Sequence, residues 1–234
     1  MAYPFPVATD EFEDKRVLVT GGTKGMGEAI VRRFLLAGAS VVTTGRSALP
    51  AGQHPTLFVQ ADVSSAAGVE MLANLVQCEW GGIDILVNNV GGSRMPNEGF
   101  QALSEEDWQR ALNTNLLAAV RMNRAFVPGM IERREGVVLH VASFQQPLPP
   151  QEVSLAYACA QAALSTYNKG LANEVGPQGV RVNMVSQGSV ETLPIGWPGT
   201  LEEVAEVVAF LASDRGASIH GVDYVIERGA LPLL

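Results

Sequence analysis

Residues 17–27 read VLVTGGTKGMG, in which a β-branched apolar run, VLVT, meets a turn with glycines at 21, 22, 25 and 27. The amphipathic segment EAIVRRFLLAG follows at once, so the order is strand, glycine turn, helix. Glycines let a backbone bend sharply and approach a ligand with no Cβ in the way. The first turn of the new helix offers unpaired N–H groups and a positive dipole end to an anion. The spacing is G-x-x-x-G-x-G, with one residue more between the first two marked glycines than the usual dinucleotide fingerprint has. Taken alone, the stretch leaves two readings open: a diphosphate cradle, or a plain connection between strand and helix.

Outward from this turn the chain repeats the same alternation. SVVTT (40–44), TLFVQ (56–60), IDILVNN (83–89), VVLHVA (137–142), RVNMV (181–185) and VDYVI (222–226) read as further strands. Between them lie helical patterns: one opened by Asp62-Val63-Ser64 and running to Trp80, and a long one from the capping box Ser104-x-x-Asp107 to Ile131. An alanine-rich helix follows over 154–175, and another is capped by Thr200-x-x-Glu203. Strands joined by helices of crossover length predict an α/β, Rossmann-like, doubly wound parallel sheet of about seven strands with helices on both faces. No composition shift, linker or repeat divides residues 1–234, so one domain is expected, with an arm over 1–13.

Composition narrows the partners. A net charge of −8 with only 16 Lys plus Arg disfavours nucleic acid or an anionic membrane as the main partner. Cys78 and Cys159 belong to no metal-ligand spacing, so no metal site is expected. The start carries acidic residues where a secretory signal would carry positive charge, and no stretch is long enough to span a bilayer; a cytoplasmic protein is expected.

A doubly wound sheet binds ligands at the carboxyl ends of its strands, near the point where strand order reverses. The positions that follow the strands are therefore the informative ones: Gly21 to Gly27, Gly45-Arg46, Asp62-Val63, Asn88 to Gly91, Ser143 and Gln187 to Thr192. Ser143 follows the fifth strand, Tyr157 sits on the next helix and Asn115 lies within the preceding one. A serine hydroxyl can hold a carbonyl oxygen and a phenol can exchange its proton, the two parts needed beside a hydride donor. Singly, Ser143 reads equally as a turn cap and Tyr157 as a core residue.

Together these residues resemble the short-chain dehydrogenase/reductase family, including its 3-oxoacyl-ACP reductase-like members, over nearly the whole chain. The motifs stand in order: TGGTKGMG at 20–27, Asp62-Val63, NNVG at 88–91, Asn115 in NTNL, Ser143 in HVAS, Tyr157 in YACAQ and RVN at 181–183. The resemblance implies that Gly21, Thr23, Lys24, Met26 and Gly27 hold a dinucleotide pyrophosphate. It places Asp62 and Val63 by the adenine, Asn89, Val90 and Gly91 by the adjoining ribose, and Gly188, Val190 and Thr192 by the nicotinamide. At the end of the second strand a carboxylate would hold the ribose of NAD. This chain has Gly45 then Arg46, with Lys24 in the glycine turn, which favours NADP(H) over NAD(H). The implied activity interconverts a ketone and a secondary alcohol, with Tyr157, Ser143 and Asn115 as the catalytic set, a small-molecule carbonyl or alcohol as substrate, and a homotetramer as the assembly.

The chain departs from the family pattern in two main places. Four residues after Tyr157, where the family carries lysine, stands Gln161, which shares the helix face but brings no charge. A weakened enzyme is one consequence; a non-catalytic NADP(H)-binding sensor or partner subunit is the other. The second departure is ETLPIGWPGT (191–200), which runs almost directly into the next helix, so the substrate loop over 188–200 is expected to be short. His140 in place of a common asparagine reads as a structural strand residue, and Gln187 replaces a proline.

Overall fold

The computed structural model describes residues 3–92, 99–143, 154–188 and 200–226. Among these described residues are seven strands: β1 (Arg16–Thr20), β2 (Ser40–Gly45), β3 (Leu57–Gln60), β4 (Ile85–Asn88), β5 (Gly136–Ser143), β6 (Val180–Gln187) and β7 (Asp223–Ile226). They form one sheet in the order β3-β2-β1-β4-β5-β6-β7, every neighbouring pair parallel. Order reverses between β1 and β4, which puts the switch point directly above the glycine turn.

Strand periodicity explains the two layers. Val17 and Val19 of β1 and Val137 and Leu139 of β5 project to one face, where they meet Ile30 and Phe34 of α1 (Gly25–Leu36) and Val208 and Leu211 of α6 (Leu201–Ala212). The intervening Leu18 and Val138 project to the other face. There they pack with Leu72 of α2 (Ala66–Trp80), Met122 and Met130 of α4 (Ala118–Arg133) and Val175 of α5 (Leu155–Val175). No helix among the described residues is long and apolar enough to cross a membrane.

Three local expectations are corrected. The helix expected from Asp62 begins at Ala66, because Ser65 takes the cap position and accepts from the Gly68 N–H, while Asp62 Oδ1 accepts from the Ser64 N–H and hydroxyl in the turn before it. The helix expected over 104–131 starts with its capping box at Ser104 and Asp107 but is interrupted. After α3 (Glu105–Leu112) comes one π-type turn, Asn113–Leu117, before α4. Its cause is visible in Asn115, whose side chain bonds the Ala111 carbonyl and reaches across to the Gly92 backbone. The arm over 1–13 is partly core: Phe12 packs edge-on against Phe34 with ring centroids 4.8 Å apart, and Glu11 pairs with the buried Arg33 at 2.6 Å.

Candidate functional site

A cleft of about 730 Å³ opens along the carboxyl ends of the strands. Its first half is made of backbone. Gly21 takes φ +70°, and a Cβ on Gly27 would lie 2.2 Å from the Gly21 carbonyl oxygen, so both positions require glycine for the turn to close onto α1. Gly25 at φ +56° faces open space. Lys24 caps α1 without a side-chain hydrogen bond, so the first N–H groups of the helix are left for a ligand. Across the switch point, Thr20 Oγ1 accepts from the N–H groups of Asn89 and Val90 at 2.9 and 3.1 Å, and Asn89 Nδ2 donates to the Thr20 carbonyl at 3.0 Å. These bonds lock the segment after β4 to the strand that enters the glycine turn.

At the end of β2, a Cβ on Gly45 would lie 2.9 Å from Thr23 Cγ2. Arg46 follows with its side chain exposed and its carbonyl held by Gln60 Nε2. Lys24 and Arg46 are the two cations among the described lining residues, and both stand at this end.

The second half is made of side chains. β5 delivers Ser143 and α5 delivers Tyr157, whose OH donates to Ser143 Oγ at 2.7 Å. Burial pushes the Tyr157 phenol above its ordinary value; hydrogen bonding with Ser143 and Gln161 opposes that push without cancelling it. Gln161 is buried beside it. Its Nε2 donates to Asn115 Oδ1 at 3.5 Å, and its Oε1 has no hydrogen-bond partner among the described residues. Lys169 does not compensate for the missing charge, since its ammonium donates to the Gly221 carbonyl at 2.5 Å, at the far end of the helix.

His140 is fully buried below the site. Its Nε2 accepts from Asn123 Nδ2 at 3.0 Å and its Nδ1 donates to Asn168 Oδ1 at 2.9 Å, while Asn123 Oδ1 accepts from Asn88. Burial lowers the imidazole to about 4, against a raising contribution from Asn168. It is a neutral structural group linking β4, α4, β5 and α5.

Of the residues expected from the sequence, Gly21, Thr23, Lys24, Met26, Gly27, Arg46, Asp62, Val63, Asn89, Val90, Gly91, Ser143, Tyr157 and Gln161 all line this one cleft. Asn115 is one layer behind it, with Oδ1 taking the Gly92 N–H at 2.8 Å and Nδ2 donating to the Ala111 and Gly92 carbonyls. Gly188 donates its N–H to the Ile226 carbonyl and does not line the cleft. Val190 and Thr192 lie outside the described residues. Thr114 and Gly92 also line the cleft and were not among the expected site residues; Gln187 lines it too, a position expected at the ligand edge after the sixth strand but assigned no role. The signal for Gln187 was its place at a strand end, in register with Ser143.

A family profile described as short chain dehydrogenase matches residues 15–194. The 3-oxoacyl-(acyl-carrier-protein) reductase FabG of Escherichia coli (strain K12) is 31% identical over 241 residues, covering 93% of this chain and 98% of the relative. The 3beta-hydroxysteroid dehydrogenase 1 of Eggerthella lenta is 29% identical over 250 residues, covering 94% and 95%. Among solved structures, L-sorbose reductase from Gluconobacter frateurii, complexed with NADPH and L-sorbose, superposes with a TM-score of 0.87 at 29% identity, covering 97% of this chain and all of that one.

Proposed function

The chain belongs to the short chain dehydrogenase family, and on that premise we propose that it is an NADP(H)-dependent oxidoreductase interconverting a ketone and a secondary alcohol. The observation that carries the proposal is the 2.7 Å hydrogen bond from Tyr157 to Ser143, in the same cleft as the glycine turn. In the reductive direction the Ser143 hydroxyl orients the carbonyl oxygen and Tyr157 delivers the proton to it; in the oxidative direction Tyr157 takes that proton back. When bound, the cofactor supplies or accepts the hydride.

The cleft suits such a group in three ways. The open face of Gly25 at the start of α1 leaves room for a pyrophosphate. A side chain at Gly45 would press on Thr23 Cγ2, and the cations Arg46 and Lys24 at this end of the cleft would suit the charge of a 2′-phosphate. The unpartnered Oε1 of Gln161 is an acceptor for a ribose hydroxyl. Asn115, with its side-chain donors and oxygen already engaged, acts as a positioning residue for Gly91 and Gly92. Relatives named for a 3-oxoacyl group, a 3β-hydroxysteroid and L-sorbose support a carbonyl or alcohol as substrate.

Gln161 weakens the chemistry. Without a cation beside it the phenol keeps its proton more firmly, and loss of a positioned charge at a developing anion costs on the order of 3 kcal/mol, or about a hundredfold in rate. The same residue favours a second reading, an NADP(H)-binding subunit without turnover. Titration of NADPH by fluorescence together with a broad ketone screen separates the two: turnover that Tyr157→Phe abolishes establishes the enzyme, and tight binding without turnover of any ketone overturns it. Family likeness extends the proposal to one domain over 1–234 in a cytoplasmic homotetramer, which sedimentation velocity checks.

A further inference from the structure

Gln187 closes β6 and pairs in register with Ser143 at the close of β5. Residues facing each other on neighbouring strands project to the same side of the sheet, with the strands about 4.8 Å apart. Both line the cleft beside Tyr157. Gln187 Oε1 is buried and has no hydrogen-bond partner among the described residues. Its strand neighbours do not supply one: the Ser143 hydroxyl makes no hydrogen bond to it, and Ile226 across β7 offers no side-chain donor. A buried amide oxygen left without a donor is costly, and a ligand that brings one is favoured over a ligand that does not.

We propose that Gln187 is a specificity-determining residue whose Oε1 accepts a hydrogen bond from a hydroxyl on the carbon next to the reacting carbonyl, which makes the substrate class an α-hydroxy ketone and its vicinal diol. This rests on the oxidoreductase reading, since it takes Ser143 as the group that holds the carbonyl oxygen. With that oxygen at Ser143, an acceptor that originates one strand away reaches the adjacent carbon's substituent. A simple ketone leaves the acceptor buried and unpaired. Sites that hydrogen-bond a substrate hydroxyl reject the analogue lacking it by large factors, up to about 10⁴ to 10⁵.

The N–H₂ of a nicotinamide carboxamide has the same donor chemistry, so the experiment reads cofactor and substrate separately. kcat/KM is measured with NADPH for 1-hydroxy-2-butanone and 2-butanone in the wild type, Gln187→Leu and Gln187→Glu, alongside NADPH affinity without ketone. The wild type is expected to prefer the hydroxy ketone by about a hundredfold or more. Gln187→Leu should cut that ratio at least tenfold, and Gln187→Glu, which keeps an acceptor oxygen, should retain most of it. Equal use of the two ketones by the wild type, an unchanged ratio in Gln187→Leu, or a loss confined to NADPH affinity overturns the proposal. Should neither ketone turn over, the broad ketone screen decides the oxidoreductase reading. Thermal shifts of the NADPH-saturated protein with 1,2-butanediol and 2-butanol then decide the role of Gln187: a larger shift by the diol, lost in Gln187→Leu, supports it, and equal shifts refute it.

Discussion

The two ends of the cleft are built by different means. Around the glycine turn the contacts on offer are backbone N–H groups, held by Thr20, Asn89 and the absence of Cβ atoms at Gly21 and Gly27. Around Tyr157 they are side-chain hydroxyls and amides: Ser143, Gln161 and, behind them, Asn115. Backbone geometry follows from chain conformation and tolerates change at neighbouring surfaces. Side-chain chemistry changes completely with one substitution. On the proposed function, binding belongs to one end and turnover to the other, so the two should be separable by mutation.

The sharpest break is Tyr157→Phe. It removes the proton donor and is expected to lower kcat by about 10²- to 10⁴-fold while NADPH affinity stays nearly unchanged, read by steady-state kinetics and fluorescence titration. If binding collapsed together with turnover, the division between the two ends would be wrong.

Next in size is Gln161→Lys. Restoring a cation beside the phenol is expected to raise turnover by up to about a hundredfold. It also has a pH signature. Burial raises the Tyr157 phenol, so alcohol oxidation by the wild type should climb with pH and keep climbing past the ordinary tyrosine value of about 10. Gln161→Lys should move that rising limb to lower pH; a limb that stays in place would show that residue 161 does not act on the tyrosine.

At the opposite end, replacing Lys24 and Arg46 by alanine should weaken NADPH binding by about tenfold or more and NADH binding by much less, because only the former brings a 2′-phosphate. Equal losses for the two cofactors, measured by calorimetry, would remove the assignment of NADP(H).

The smallest effect concerns the floor beneath both ends. His140 is buried neutral, with its imidazole lowered from an unfolded value near 6.5 to about 4. Between those values the unfolded chain binds more protons than the folded one. Its contribution is thus complete above about pH 6.5 and is lost as pH falls toward 4, by on the order of 1 kcal/mol at pH 5.5. That corresponds to a few degrees in Tm for a chain of this size. The acid-side slope of Tm against pH should be shallower in His140→Asn than in the wild type, whatever the variant's absolute stability, and parallel slopes would count against it.

Much of the fold could be read along the chain. The alternation of β-branched runs with helical patterns implied a parallel sheet because crossover lengths permit little else, and the caps at Ser104 and Thr200 marked helix starts where the structure has them. The interruption after Leu112 could not be read, because the apolar period of Trp108, Leu112 and Leu116 runs through it and its distortion comes from Asn115 bonding Gly92, 23 residues away. Phe12 was likewise assigned to an arm, since nothing local tells that it packs on Phe34. Within the candidate site, strand ends pointed to Ser143 and to the turn after β1. Gln187 was placed among the positions after the strands and noted as a departure from the family but given no role, because its pairing in register with Ser143, a residue 44 positions earlier, belongs to the sheet.

The amino-acid sequence by itself determined the family, the α/β alternation and the glycine turn, because each depends on residue types at short spacing: backbone freedom at glycine, period-two burial in strands, capping at helix starts. Only the tertiary structure decided which polar atoms are left without partners. Gln161 and Gln187 each carry the same amide in the sequence as any other glutamine. Burial, beside Tyr157 and Asn115 for Gln161 and at the strand end paired with Ser143 for Gln187, is what leaves their oxygens without partners among the described residues, and burial is a property of the whole fold.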